Sequence, residues 1–353
     1  MNKISKSYLQ IFIISTFGMG VLLGALLIVL DPYQILHKSF FYEDRYLPDG
    51  RYQNAGYINR LLKNEQCCDT LILGTSHSQN FLPQAATDAF GGKGTLQLTM
   101  AGSLPHEQAK LIERAVSVSD SVKRIIIGIH TSYAEQMLSS DRDENKKFFP
   151  DTLYDDAPLN DISPILSFDM LGKFSELTTS GKPYERARSW FDEYKTSFGK
   201  GDILKKQNPG FTEKNFTSCD CINFPNIDDV LVKTLMVHSN IEFLLFIPPY
   251  STHYYANISQ EEFNRLMEMR LHLVGILQNQ KNAKLFAFDT VFPETRNLDM
   301  YKDLQHYHED MNTRILEWMA DNKGRLTDQN ILDQTNALTQ KVNAYIQLEK
   351  EGI

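Results

Sequence analysis

The chain has 353 residues, of which 42 % are hydrophobic and 23 % are charged. This composition is typical of a folded globular protein and excludes a disordered or fibrous one. The negative mean hydropathy excludes a membrane protein with many spans. A formal net charge of -8 argues against nucleic acid as a partner, because nucleic-acid binders normally carry a basic field.

One apolar segment departs from this average. Residues 9–30 contain no charged side chain and are long enough, at about 1.5 Å per residue, to cross a bilayer as a helix. No small-residue cleavage site follows, which predicts an uncleaved single-pass anchor rather than a signal peptide. Lys3 and Lys6 precede the segment and Asp31 follows it. This charge bias predicts an anchor in the cytoplasmic membrane, with residues 1–8 cytoplasmic and the remaining chain periplasmic or extracellular.

Four cysteines form two close pairs, Cys67 with Cys68 and Cys219 with Cys221. An oxidising compartment favours disulfides, and we expect pairing between the two clusters, with the connectivity left open by the sequence. Free buried thiols are the alternative. Neither spacing fits the usual zinc-ligand pairs, which leave at least two residues between cysteines.

The remaining chain alternates short apolar runs with helical patterns. Residues 31–66 are polar and aromatic without long periodicity, which predicts a stalk or linker. Buried parallel strands are predicted at 70–73, 95–100, 124–129, 241–247 and 284–288, with helices such as Pro105–Val118 between them. We therefore predict a three-layer α/β/α domain over 67–325, flavodoxin-like, with a mainly parallel sheet. A polar insertion is expected at about 134–225, and a C-terminal helix or tail at 326–353.

Two constellations carry candidate chemistry. Ser76 follows the first apolar strand, in the sequence LILGTSHSQN, at the sheet edge where open α/β folds bind ligands. A serine before a helix is exposed, and backbone N–H groups there can meet an oxyanion; a plain helix cap is the alternative. Asp303 and His306 form an Asp-x-x-His unit beyond the last predicted strand. A nucleophilic serine needs such a base, and the base needs a carboxylate to orient it.

A metal cluster is the alternative for this C-terminal segment, because His308, Glu309 and Asp310 lie close to His306 in sequence. His-x-His beside carboxylates is a short and permissive pattern. We therefore predict no metal and no cofactor.

These residues carry a resemblance to a known family. Gly74-Thr75-Ser76 after a strand, the segment QLTMAGSLPHEQ, and Asp303-x-x-His306 near the C-terminus resemble the blocks of the SGNH (GDSL-type) hydrolase superfamily. The span FIPPYS at 246–251 resembles its membrane-anchored bacterial branch, which includes alginate O-acetyltransferase-like and teichoic-acid D-alanyl-transfer-like proteins. The resemblance covers roughly residues 69–319, without the insertion.

The resemblance implies roles for individual residues. Ser76, His306 and Asp303 would be nucleophile, base and orienting carboxylate, and the N–H groups of Ser76 and Gly102 would form the oxyanion hole. Two positions depart from the family pattern. Thr75 stands where GDSL proteins have Asp, and the third strand ends in Gly-Ile-His-Thr-Ser without the expected oxyanion Asn. His77, His130 and Tyr250 are candidate pocket residues, each with a structural role as the alternative.

Two functions follow. The first is a membrane-anchored, serine-dependent acyl transferase or esterase that acts on a cell-envelope or exported glycan or a lipid-linked polymer. The resemblance implies a membrane O-acyltransferase as the partner that delivers the acyl group. The second is a non-catalytic SGNH-like binding or assembly module of an envelope complex, which the missing Asn favours.

Overall fold

The structure is a computed structural model that describes residues 3–38, 45–46, 50–141, 149–157, 159–167, 170, 172, 182–183, 198–208, 210–218 and 222–351. Two units are present. The first comprises Met1–Asn64 with Pro150–Glu185, and the second comprises Glu65–Phe149 with Arg186–Ile353. The predicted insertion at 134–225 is therefore shared between the units and lies partly outside the described residues.

The secondary-structure elements are numbered here in chain order. The strands are β1 (Arg45–Tyr46), β2 (Thr70–Leu73), β3 (Thr95–Gln97), β4 (Arg124–Gly128), β5 (Lys182–Pro183), β6 (Glu242–Ile247), β7 (Ala283–Ala287) and β8 (Arg325–Leu326). The α-helices are α1 (Lys3–Leu30), α2 (Gly50–Tyr57), α3 (Pro83–Phe90), α4 (Pro105–Val118), α5 (Ile162–Ile165), α6 (Gly201–Gln207), α7 (Val232–Val237), α8 (Thr252–Asn257), α9 (Gln260–Leu277), α10 (Glu309–Ala320) and α11 (Ile331–Glu351).

The first unit contains the apolar N-terminal helix. Within α1, Ser7–Leu30 is long and apolar enough to cross a membrane. The helix ends at Leu30, and the Asp31 carboxylate then accepts the N–H groups of Ile35 (3.0 Å) and Leu36 (2.7 Å), which closes a turn. The predicted stalk contains regular structure over residues 50–64, where α2 is followed by a π-helix, Ile58–Asn64, whose Ile58 and Leu62 are fully buried.

The second unit is built on a six-stranded, mostly parallel sheet. The strand order is β3-β2-β4-β6-β7-β8; β8 alone runs antiparallel, paired with β7. The five parallel strands match the five predicted apolar runs: β2 has the predicted bounds, and in each of the others at least one end is shifted by one to three residues. The antiparallel edge strand Arg325–Leu326 was not predicted, because two residues leave no readable alternation.

Apolar strand residues on both sides of the sheet are buried. Ile72, Ile126 and Leu244 belong to a core cluster that also contains residues of α3 and α10. Their sequence neighbours, among them Leu71 and Ile125, are equally buried although they point the opposite way. Burial on both faces explains why these strands read as continuous apolar runs rather than alternating ones.

The strand order places a ligand-binding position at one point of the sheet edge. The chain leaves β2 for β3 on one side and then returns to β4 on the other side of β2. Such a reversal opens a crevice beyond the carboxyl ends of the two central strands, which is where open α/β sheets bind ligands. Ser76 follows β2 and His130 follows β4, so both residues lie at this crevice.

Candidate active site

Ser76 lies at the carboxyl end of β2, as the sequence predicts. Gly74 and Thr75 follow the strand, and Ser76 opens a single 3-10 turn that ends at Ser78. The carbonyl of Gly74 accepts the N–H of Met100 at 3.0 Å, which ties this turn to the loop after β3. Ser76 is half-buried, with its hydroxyl at the edge of the sheet.

The backbone of Gly74 makes this turn possible. Its φ is +138°, and a Cβ there would lie 2.3 Å from the Oγ of Ser78, a buried side chain that also abuts Gly128. Only glycine combines that φ with so close an approach.

We expect Gly74→Ala to lower the free energy of unfolding by about 2–4 kcal/mol, from backbone strain and the clash with Ser78. Chemical denaturation of the full-length protein in detergent measures the loss. Gly91→Ala is the matched control, since Gly91 has a φ of +68° but open space around its Cβ position. The control should lose only about 1 kcal/mol; equal losses in the two variants would show that the Ser78 contact contributes nothing.

The Asp303–His306 loop is held in one conformation by its own hydrogen bonds. Tyr301 and Tyr307 form an antiparallel bridge, and the N–H of Lys302 donates to the carbonyl of His306 at 2.9 Å. Inside this narrow loop, Oδ1 of Asp303 accepts the backbone N–H groups of Gln305 (2.8 Å) and His306 (2.9 Å). The carboxylate is therefore oriented before it meets any side chain.

The segment after β6 anchors the same loop. The hydroxyl of Ser251 donates to the carbonyl of Leu304 at 2.8 Å, and the hydroxyl of Tyr301 donates to that of Pro249 at 2.6 Å. Pro249 and Ser251 both belong to the span FIPPYS at 246–251, so this span positions the loop that carries the candidate base.

The structure brings the three predicted catalytic residues together in one hydrogen-bonded chain. Oγ of Ser76 lies 2.8 Å from Nε2 of His306, and Nδ1 of His306 lies 2.7 Å from Oδ2 of Asp303. Burial opposes ionisation of Asp303, but its hydrogen bonds with His306 and Gln305 hold the pKa of this carboxyl well below its usual range. An ionised Asp303 fixes the proton of His306 on Nδ1, which leaves Nε2 free to accept the hydroxyl proton of Ser76.

Gly102 lies in the loop after β3, beside the turn that carries Ser76. It is exposed, has a φ of +60°, and has open space where a Cβ would stand. Ser103 joins this loop to the turn, because its hydroxyl donates to the carbonyl of Gly74 at 3.2 Å. The strand neighbouring β2 thus brings Gly102 to the same sheet edge as Ser76.

A buried network of side chains supports this loop, and sequence reasoning missed three of its members, Tyr133, Gln108 and Ser103. The hydroxyl of Tyr133 donates to Oε1 of Gln108 at 2.9 Å, and Nε2 of Gln108 donates to the Ser103 hydroxyl at 2.9 Å. Gln108 and Ser103 both fall in the QLTMAGSLPHEQ segment. The available signal for Gln108 was its place, at helical spacing, on the same helix face as Leu111, Ile112 and Ala115.

His130 belongs to this network rather than to an open pocket. Its Nδ1 lies 3.0 Å from the hydroxyl of Ser132, and its Nε2 lies 3.3 Å from Nε2 of Gln108. Burial lowers the pKa of His130 to about 4, so the ring is neutral at physiological pH. The side chain supports the loop beneath the site, which corresponds to the structural alternative for this residue.

Another buried side chain fixes the turn after Ser76. Nε2 of Gln97, at the end of β3, donates to the carbonyls of Ser78 (2.7 Å) and Gln79 (3.1 Å). Sequence reasoning missed Gln97, although a glutamine inside a predicted buried strand signals a backbone partner.

Tyr250 and His77 lie against each other next to the triad. Tyr250 is 2 % exposed, and its ring meets that of His77 edge to face at 5.5 Å. Burial raises the pKa of Tyr250 further above its ordinary value, so its hydroxyl stays neutral. His77 also stacks on His306, so the structure groups both predicted pocket residues with the candidate base.

The residues considered for a metal do not converge. His308 caps α10, with its Nδ1 accepting the N–H of Asp310 at 3.3 Å. In the described part of the chain, no group of three or more His, Cys, Asp or Glu side chains is arranged to hold a metal ion.

The cysteine pairing differs from the expected one. Cys67 and Cys68 form a disulfide with each other, whereas we expected pairing between the two clusters. Their α-carbons are 3.8 Å apart because the two residues are consecutive in the chain. Cys219 and Cys221 lie outside the described residues.

Comparison with known proteins adds no family assignment, because no protein-family model matches the chain and no curated protein matches it.

Proposed function

We propose that this protein is a serine-dependent acyl-transfer enzyme with an SGNH-like, three-layer fold. More specifically, we propose a membrane-anchored, extracytoplasmic esterase or O-acyltransferase that acts on a cell-envelope or exported polysaccharide. The observation that carries the proposal is the continuous chain from Ser76 through His306 to Asp303, with distances of 2.8 and 2.7 Å. The N-terminal span supports the anchoring, since Ser7–Leu30 is long and apolar enough to cross a membrane.

The geometry supports a two-step reaction. Oγ of Ser76 attacks the carbonyl carbon of an acyl ester while its proton passes to Nε2 of His306. The backbone N–H groups of Ser76 and Gly102 stabilise the oxyanion in this proposal. The tetrahedral intermediate then expels the alcohol, which takes the proton from His306, and leaves an acyl group on Ser76.

The second step decides between the two activities. His306 deprotonates an acceptor, which attacks the acyl carbonyl and releases Ser76 with its proton restored. Water as the acceptor gives an esterase, and a sugar hydroxyl gives a transferase. If the enzyme is a transferase, this proposal requires a membrane O-acyltransferase as the partner that supplies the acyl groups.

A covalent probe tests this proposal. Full-length protein in detergent is incubated with a fluorophosphonate, and the modified peptide is located by mass spectrometry. We expect the phosphonate on Ser76, because an activated serine reacts where ordinary serines do not. A separate sample that has not met the fluorophosphonate should release acetate from an aryl acetate. An added oligosaccharide should divert the acetyl group to the sugar if the enzyme is a transferase. Absence of both labelling and ester turnover would contradict the proposal.

A non-catalytic envelope-binding module is the second candidate. It is favoured by the segment after β4, which contains the buried His130 and provides no asparagine side chain to an oxyanion. Loss of one such donor costs roughly 3 kcal/mol of transition-state stabilisation. Binding of envelope polysaccharide by the Ser76→Ala variant, together with an unlabelled wild type, would favour this candidate.

A further inference from the structure

The ring of His77 lies flat on the ring of His306. Their centroids are 4.5 Å apart and their planes differ by 1°. His77 is the residue that follows Ser76, and the 3-10 turn from Ser76 to Ser78 presents the two side chains to the same imidazole. Ser76 meets the edge of His306 at Nε2, while His77 covers its face.

Three contacts fix the orientation of His77. Its Nδ1 lies 3.0 Å from the hydroxyl of Thr75, and its backbone carbonyl accepts the hydroxyl of Tyr307 at 3.3 Å. The rings of Tyr250 and His77 meet at nearly a right angle, with centroids 5.5 Å apart. Contacts with Thr75, Tyr307 and Tyr250 therefore hold the ring of His77 in addition to its stacking on His306.

The charges around His77 keep the stack attractive. The titratable groups that face it are His306, His130, Asp303, Tyr250 and Tyr307. Burial, followed by the effect of His306 and His130, holds the pKa of His77 well below its ordinary value. His77 is therefore a neutral ring when His306 becomes an imidazolium during the reaction, and a cation over a neutral π face is attracted rather than repelled.

We propose that His77 is a positioning residue that holds the His306 ring in the plane where Nε2 reaches Ser76 and Nδ1 reaches Asp303. This inference rests on the proposed function. His77 is poorly placed to act as a base itself, because its Nδ1 is bonded to Thr75 and its Nε2 is buried. The consecutive pair Ser76-His77 thus supplies both the nucleophile and the support for its base.

The test compares His77→Ala with His77→Phe in full-length protein in detergent. Phenylalanine keeps a flat neutral ring, and alanine removes it. We expect His77→Ala to lower kcat for an aryl acetate and the rate of Ser76 phosphonylation by about tenfold to a hundredfold, since a misplaced base costs rate. KM should change little. His77→Phe should retain activity within a few-fold of wild type, a rescue that a catalytic role for the imidazole nitrogens would not allow.

A spectroscopic readout is independent of turnover. The Nδ1 proton between His306 and Asp303 should give a downfield resonance in wild type and His77→Phe, and a broadened or absent one in folded His77→Ala. Activity and resonance unchanged in His77→Ala would overturn the proposal, as would a folded His77→Phe as inactive as the alanine variant. If His77→Ala does not fold, the activity of His77→Phe still tests the proposal: activity near that of wild type supports it, and a folded but inactive variant contradicts it. A wild type that shows the resonance but neither labels nor turns over ester contradicts the proposed function alone.

Discussion

Replacing Ser76 by alanine should lower kcat for ester hydrolysis by about 10⁴-fold or more, while the protein stays folded. The hydroxyl makes a 2.8 Å hydrogen bond to His306 and no other described contact of its side chain holds the fold. His306→Ala should cost a similar factor. The double variant should be no worse than either single one, because the residues act as a unit. Initial rates on an aryl acetate, with far-UV circular dichroism as a folding check, measure these effects.

Asp303→Asn tests the tautomer argument separately. The carboxylate accepts the Nδ1 proton of His306 at 2.7 Å and two backbone N–H groups through its other oxygen. An amide preserves the shape but can present an N–H to Nδ1, which moves the histidine proton to Nε2. We expect a loss of about 10³–10⁴-fold in kcat.

Ser117→Ala is the matched control for these variants. Ser117 is an exposed serine on α4, and its hydroxyl donates only to the carbonyl of Arg114 at 2.9 Å. Its replacement should leave kcat within about twofold of wild type. Residual ester turnover that is equal in wild type, Ser76→Ala and His306→Ala would assign the activity to a contaminant or to the surface, and would remove the basis of the proposed function.

The candidate catalytic residues could be singled out from the sequence because their order along the chain is informative, whereas their geometry could not be predicted. A strand followed by Gly-Thr-Ser places Ser76 at the sheet edge, and Asp-x-x-His offers a candidate base and carboxylate from one loop. The 230-residue separation between Ser76 and His306 is closed by strand order and by the Tyr301–Tyr307 bridge. Neither leaves a local pattern in the sequence.

The supporting residues were harder to predict for a physical reason. Gln97, Gln108 and Ser103 form hydrogen bonds with backbone or buried side-chain groups that lie 19, 25 and 29 residues away in sequence. The burial of Gln97 and Gln108 could have been expected from their places in a predicted strand and helix, whereas the burial of Ser103, which lies in a loop, is visible only in the structure. The pairing of Cys67 with Cys68 was missed for a related reason, since the number and spacing of cysteines in a sequence do not determine which of them form a disulfide.

Removal of one member of the buried ion pair between Arg270 and Asp289 should be among the most destabilising changes in the second unit. Their side chains are 3 % and 1 % exposed. Arg270 donates to both carboxylate oxygens of Asp289 and, at 2.6 Å, to the hydroxyl of Tyr255, which itself donates to Asp289 at 2.7 Å. We expect Arg270→Met or Asp289→Leu to cost about 3–5 kcal/mol, because each leaves an uncompensated buried charge.

The exposed pair Lys233–Asp229 provides the contrast. Its side chains are 66 % and 50 % exposed and lie on one helical face. Replacing Lys233 by alanine should cost less than about 1 kcal/mol, since solvent screens the attraction. Urea unfolding of the full-length protein in detergent compares the two pairs; equal losses would show that burial does not amplify the Arg270–Asp289 contact.

The loss of stability caused by Arg270→Met should depend on pH. Burial resists ionisation of Asp289, but Arg270 and Tyr255 outweigh it and lower the pKa of the carboxyl. A depressed folded-state pKa gives stability that is present above the unfolded value of about 4 and is lost as pH falls through the folded value. In Arg270→Met the buried carboxyl has lost its cation and takes up a proton more readily. The penalty of this variant should therefore be largest near neutral pH and shrink on acidification.

The triple variant Arg270→Met, Asp289→Leu, Tyr255→Phe separates the value of the pair from the cost of breaking it. Removing all three polar groups leaves neither member of the pair buried alone and no Tyr255 hydroxyl without a partner, while Lys341 keeps its hydrogen bonds to the backbone carbonyls of Asp289 and Phe292. The triple variant should therefore be more stable than either single one and close to wild type. Its stability should also lose the acid dependence that Asp289 contributes. A triple variant as unstable as the sum of its single changes would mean that the network contributes net stability, and that Arg270 and Asp289 are not merely a compensated pair.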